Sequence, residues 1–256
     1  MSLVKQPLFD TVRHDPNTDA ICQETATMKP AFPASDIIEK LEETHFKPAF
    51  GKIPVEKRER ILRTAAKQFA RLGFSSANIN VIAKKAGISI GSMYNYFESK
   101  EALFLTLNDL SYHLIESILA AIDFEEGDLF DKFERLLRAV QVYARLYPEF
   151  NQIYQELTSE GLSHLSSQLS GKLETVTAQY YRTLLREARD EGVIAPDVDE
   201  FTAAFCMDNI LVMLQYAYSS EYYSERMKIF AGEDALEDDE KMIEGIMRFI
   251  RRALTK

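Results

Sequence analysis

Apolar residues recur at intervals of three and four along most of this chain. After residue 54 no stretch alternates singly between apolar and polar, as a half-buried strand does. The pattern predicts an all-α protein. Ile61, Leu62, Ala65, Ala66, Phe69 and Leu72 make the stripe of a first long helix over about 55–72, ended by Gly73. Asn78 is a suitable N-cap for a short helix whose Ile79, Ile82 and Ala83 turn inward. Gly87 supplies a tight turn, and Ser89 caps another short helix. Ser99, Lys100 and Glu101 then lead into a long helix over about 103–122. Further helices are predicted at about 128–146, 148–158, 162–191, 199–219, 220–231 and 236–254, with Pro148 in a first-turn position.

The first 53 residues read differently. Pro7, Pro16, Pro30 and Pro33 interrupt a mixed-charge stretch without apolar period, which predicts a flexible arm over 1–34. A short helix follows over about 35–46, with Ile37, Ile38, Leu41 and His45 on one face, before Pro48, Gly51 and Pro54 break the pattern. The expected division is a partly flexible extension over 1–53, a compact helical unit over 54–114 and a larger helical part over 115–256.

The stretch 78–97, NINVIAKKAGISIGSMYNYF, places two short helices around a glycine turn. That is a helix-turn-helix, whose second helix can enter a DNA groove. At about 1.5 Å per residue the segment 89–96 is only about 12 Å long, so few of its side chains can reach base edges. Ile88, Met93 and Phe97 are expected to pack it down, leaving Ile90, Gly91, Ser92, Tyr94, Asn95 and Tyr96 for DNA. Ser92 and Asn95 suit base reading, Asn being matched to adenine. Tyr94 and Tyr96 suit phosphate oxygens, which fix register rather than sequence. Asn78, Ser89 and Lys100, each at a helix start, are further candidates for phosphate. Each of Asn78 and Ser89 also has a plain reading as a cap, and Tyr94, Tyr96 and Phe97 as an aromatic cluster.

Charge sharpens this picture. The whole chain of 256 residues is acidic, with net charge -10, which argues against non-specific coating of nucleic acid. Yet residues 54–105 carry nine basic and four acidic side chains, while 106–256 carry fifteen and twenty-eight. The basic island coincides with the helix-turn-helix, and the acidic remainder would orient the molecule as it approaches DNA. Cys22 and Cys206 form no CxxC pattern, and the four histidines lack metal-ligand spacing, so neither metal nor other cofactor is expected. The longest uninterrupted aliphatic run, residues 210–214, is too short to span a bilayer, and no signal-type apolar core opens the chain. A cytoplasmic protein without a membrane partner is expected. No nucleophile triad, phosphate loop or close carboxylate pair supports an enzyme.

Residues 57–107, KRERILRTAAKQFARLGFSSANINVIAKKAGISIGSMYNYFESKEALFLTL, resemble the DNA-binding domain of the TetR (tetracycline repressor) family. The resemblance runs through Gly73-Phe74, Ile82-Ala83, Ala86-Gly87, Ser89, Gly91, Tyr94, Tyr96-Phe97 and Ser99-Lys100-Glu101 in one register. It implies an N-terminal three-helix helix-turn-helix DNA-binding domain followed by a larger helical domain for ligand binding and dimerisation. One position departs: Ile90 stands where relatives often carry a basic residue, and can offer only an apolar contact such as a thymine methyl.

The resemblance also implies a homodimer built from two late helices of each subunit. The helix at 199–219 has two apolar faces, and Met207, Ile210, Leu211, Leu214 and Tyr218 lie on one of them. Together with Ile243, Ile246, Met247 and Ile250 of the last helix they are the candidate dimer interface; packing within one subunit is the plain alternative. A dyad would let two short helices read both halves of a near-palindromic operator. An effector pocket among the middle helices is likewise implied, with Tyr147, Phe150, Tyr154, Tyr180, Phe205, Asp208 and Val212 as candidates. Aromatic walls with hydroxyl tips suit a lipophilic or aromatic small molecule. The reading is therefore a repressor released from double-stranded DNA by an effector. An activator of the same fold, or a helical ligand- or partner-binding protein whose reader has degenerated, are the alternatives.

Overall fold

The computed structural model describes residues 35–39, 41, 45–120, 127–157 and 163–255, leaving aside the side chains of 35, 36, 116–120, 163–174 and 176. The arm expected over 1–34 lies outside the described residues. Among those described there are twelve helices and no strand. In chain order they are α1 (Ser35–Glu39), α2 (Pro48–Gly51), α3 (Val55–Ser76), α4 (Ile79–Lys85), α5 (Ile90–Tyr96) and α6 (Lys100–Ala120). There follow α7 (Leu129–Leu146), α8 (Pro148–Leu157), α9 (Ser163–Asp190), α10 (Glu200–Ala217), α11 (Glu221–Ala231) and α12 (Asp239–Leu254).

Local chemistry accounts for the helix ends. The Asn78 side chain accepts from Asn80 N at 2.8 Å and that of Ser89 from Ser92 N at 3.0 Å, each satisfying an amide that the first turn leaves free. Asp128 and Asp131 form a capping box at α7, and Asp199 and Asp238 cap α10 and α12. Gly87 turns the chain between α4 and α5 at φ 67°. Gly73 does not end α3 as the sequence suggests. It breaks the helix internally at φ 72°, ψ 163°, a region essentially reserved for glycine, and one further turn runs to Ser76. Leu72, just before that break, is 40% exposed and drops out of the expected apolar stripe.

Two apolar cores result. The first gathers Ile61, Leu62, Phe69, Ile82, Met93, Phe97, Leu103 and Leu107 from α3 to α6. It extends beyond 54–114 in both directions. Ile37, Ile38, Phe46 and Phe50 join it from the extension, and Phe150, Ile153 and Leu157 of α8 join it from the later half. The second core joins α7, α9, α10 and α12 through Phe133, Leu137, Leu185, Met207, Leu214, Ile243 and Ile250. α3 packs more extensively against α8 than against any other described helix, so the later half bears directly on the first helix of the helix-turn-helix unit.

Candidate nucleic-acid interface

The face of α5 that points outward is the one the sequence nominates. Ser89, Gly91 and Asn95 are exposed, Ile90 is 41% and Tyr94 46% exposed, and Ser92 is half-buried with its hydroxyl 2.9 Å from that of Ser89. Met93 and Phe97 are fully buried on the opposite side. An amphipathic helix of seven residues, held by a cap and a glycine turn, thus presents a polar strip to solvent. Asn78 is exposed at the start of α4, its amide NH2 not used by the cap.

Two candidates sit differently. Tyr96 is buried, and its hydroxyl accepts from Lys57 Nζ at 3.1 Å while packing on Phe50, so it braces α5 from behind. Lys100 does not reach toward a phosphate either. Its ammonium donates to the carbonyls of Phe74 at 2.7 Å, Ser75 at 3.2 Å and Ala77 at 3.2 Å, and lies 4.4 Å from the centre of the Phe74 ring. An ammonium has three donors, and all are used. The reason is the broken end of α3, whose orphan carbonyls and negative dipole end attract a cation.

Several basic residues of α3 are similarly committed. Arg58 is buried with its guanidinium on Ile38 O, Arg60 Nε donates to Ala86 O at 3.0 Å, and Arg63 pairs with Glu59. Lys47, Lys52, Lys84 and Lys85 are exposed around the unit, Lys85 reaching Gln68 Oε1 at 3.0 Å. Sequence reasoning missed Lys47 and its neighbours. The Lys47 amide donates to Tyr96 O at 2.8 Å and its ammonium to Tyr94 O at 3.0 Å, while Phe50 packs on Tyr96 and Phe97 with ring centres 5.8 and 4.7 Å away. Phe46 and Phe50, four apart around Pro48, were the available signal.

The proposed dimer stripe is turned inward. Met207, Leu211, Leu214, Ile243, Met247 and Ile250 are buried in the second core, with Ile210 and Ile246 packed against it. Tyr218 is a core hydrogen-bonding group: its hydroxyl donates to Asp239 Oδ1 at 2.7 Å and accepts from Gln141 Nε2 at 2.8 Å. Burial, and then the bond to Asp239, hold its phenol well above the ordinary range. The other face of α10 is the open one, with Phe201 60% and Phe205 69% exposed, as is Phe249 of α12 at 65%.

The pocket candidates divide between the two cores. Phe150 is buried in the first, with Tyr147 packed beside it. Tyr180 packs against the second, burial pushing its phenol up to about 12. Tyr154 faces Tyr216 at 6.5 Å, and Asp208 and Val212 are half-buried, whereas Phe205 points to solvent. Gln215 of α10 donates to Asn151 Oδ1 of α8, and the buried Asn151 Nδ2 has no hydrogen-bond partner among the described residues.

Helix, glycine turn and outward polar helix on a basic surface define a helix-turn-helix DNA-binding protein. The comparisons agree. Residues 61–107 match the family model for bacterial regulatory proteins, tetR family. The HTH-type transcriptional regulator YhgD of Bacillus subtilis is 22% identical over 173 residues, covering 66% of this chain and 87% of that protein. A TetR family regulator from Chloroflexus aurantiacus superposes with TM-score 0.63 at 22% identity, over 82% of this chain and 99% of the other. AibR, solved with isovaleryl coenzyme A and operator DNA, superposes at 0.55 with 16% identity, over 75% and 96% of the two chains. Residues 61–107 thus carry a DNA-binding unit of the TetR type, and the chain as a whole is similar in fold to TetR-family transcriptional regulators.

Proposed function

We propose that the protein is a homodimeric repressor whose hold on an operator is relaxed by a small lipophilic or aromatic effector. The observation that carries this reading is the joint between the two halves: α8, from the later half, supplies Phe150, Ile153 and Leu157 to the core of the reader. A ligand that displaces α8 would therefore shift α3 and the helices packed on it. For that to release DNA, the ligand must prefer the arrangement that fits the operator poorly, since equal affinity for both would shift nothing.

Three further features support the reading. Asn95, Ser92 and Tyr94 face outward and suit base and phosphate contacts, while one seven-residue helix reads too little without a dyad-related copy. Exposed Phe201, Phe205 and Phe249 favour an interface on the outer faces of α10 and α12, in place of the inward stripe. The buried Asn151 amide, without a hydrogen-bond partner among the described residues, suits a ligand that carries a hydrogen-bond acceptor. AibR offers a parallel for one fold holding both an acyl thioester and operator DNA.

The test is a DNA-binding titration on the region upstream of the protein's own gene, without and with a panel of fatty acids, acyl thioesters and aromatic acids. Release by one class, with saturation, supports the reading. Tight ligand binding that leaves DNA affinity untouched contradicts it.

A further inference from the structure

We propose that Lys47, which lies outside the helix-turn-helix, is a further DNA-backbone contact, delivered by the extension and fixed to the end of the recognition helix. The inference rests on α5 being the DNA-facing helix. It starts from a backbone bond: Lys47 N donates to Tyr96 O at 2.8 Å, which satisfies a carbonyl that the end of α5 would otherwise leave free. Pro48 then begins α2, and Phe50 is wholly buried against Tyr96 and Phe97. The segment is thereby seated on α5 by a hydrogen bond and by an aromatic cluster, so Lys47 is held in register with the reader.

The side chain follows the same logic. Lys47 is exposed, and its ammonium donates to Tyr94 O at 3.0 Å. This carbonyl lies in the last turn of α5, the negative end of the helix dipole, where a cation is favoured. One of three ammonium donors is used there, leaving the others for an oxygen outside the protein. The residue whose carbonyl it holds, Tyr94, presents its own side chain outward at 46% exposure. A phosphate lying against Tyr94 would therefore meet the Lys47 ammonium at the same end of the helix. Lys57, from α3, occupies the inner side of this end by donating to the buried Tyr96 hydroxyl, so the two lysines have divided roles. Lys57 supports the helix, and Lys47 faces the backbone of DNA.

The experiment uses a duplex recovered by the full-length wild-type protein from a random pool, with affinity measured across a salt series for the wild type, Lys47→Met and Lys47→Arg. A lysine on phosphate adds about one unit to the slope of log affinity against log salt, alike for all sequences. Lys47→Met is expected to weaken binding on the order of fivefold at moderate salt and to reduce the slope by about 1 per bound subunit, with Lys47→Arg close to wild type. Thermal melting of Lys47→Met should match the wild type within a few degrees. An unchanged slope overturns the proposal, whether affinity falls (a brace only) or stays the same. Failure of the wild type to recover any duplex would overturn the underlying reading instead, and is distinguished by occurring before any substitution is made.

Discussion

The carboxylate of Glu156, in α8, accepts a hydrogen bond from the backbone N–H of Phe74, 82 residues earlier, at 3.1 Å. It does so at the break in α3, where Gly73 takes a positive φ and the chain turns toward the Asn78 cap of α4. Lys100 clamps the same turn from the other side through three carbonyls. One short segment, 73–77, thus receives an anchor from α8 and another from the start of α6, and passes directly into the helix-turn-helix.

Glu156→Ala is expected to destabilise the protein by about 1–2 kcal/mol, since the backbone N–H of the buried Phe74 loses its hydrogen bond to a charged, half-buried acceptor. Urea unfolding followed by circular dichroism measures this. A midpoint equal to wild type would show that the anchor contributes nothing. If α8 transmits ligand binding, the variant should also respond less to effector in the DNA titration.

Gly73→Ala should be worse tolerated than a typical helix substitution. At φ 72° and ψ 163° an L side chain costs about 1–3 kcal/mol, and the new methyl would stand 3.0 Å from Glu156 Oε1. The same urea measurement applies. Gly87→Ala, where nothing lies within 4 Å of the added carbon, pays only the backbone strain and is expected to be milder.

Lys100→Met separates two roles. A lysine that serves only the carbonyls of α3 should, when removed, lower stability by about 1–3 kcal/mol while leaving the salt slope of DNA binding unchanged. A stable variant with a reduced slope would restore the phosphate role that the sequence suggests.

If the protein forms the proposed dimer, charge on the outer face of α10 or α12 should dissociate it without unfolding the subunit. Phe205→Glu and Phe249→Glu, at positions 69% and 65% exposed, are expected to give helical monomers by light scattering. Met207→Glu, at a position 1% exposed, should instead lose helical signal, because an unpaired charge is buried. Dimeric Phe205→Glu and Phe249→Glu would place the interface elsewhere.

Alkaline pH should loosen the fold. Burial raises the phenols of Tyr143, Tyr181 and Tyr218 above the ordinary value of 10.0. A group whose folded pKa is raised contributes stability in full below its unfolded pKa and loses it as pH rises toward the folded one. The urea midpoint is therefore expected to fall as pH passes about 10, and less steeply in Tyr143→Phe. A flat profile across that range would contradict the burial of these phenols.

Much of the helical order was legible in the sequence, because its signals are local: Asn78 and Ser89 as caps, Gly87 as a turn, and the apolar stripe on α3. The polar strip Ser92, Tyr94 and Asn95 followed from the same periodicity. What could not be read was the partner of each surface. Both faces of α10 are apolar, and only the packing of α7 and α9 against it decides that Met207 and Leu214 go inward and Phe201 and Phe205 outward. Lys100 sits at a helix start in sequence, yet the carbonyls that claim it lie some 25 residues away. The extension looked detachable because Pro48, Gly51 and Pro54 break its periodicity, although Phe46 and Phe50 complete the first core.

Footprinting of the protein on DNA upstream of its own gene tests the central claim most directly, with the wild type beside Asn95→Ala. The account predicts one protected near-palindrome, two half-sites about one helical turn apart. Asn95→Ala should weaken it and relax base preference at one position in each half-site, by about 1–3 kcal/mol. A wild-type protein that protects no discrete site, or binds all sequences alike, would contradict it.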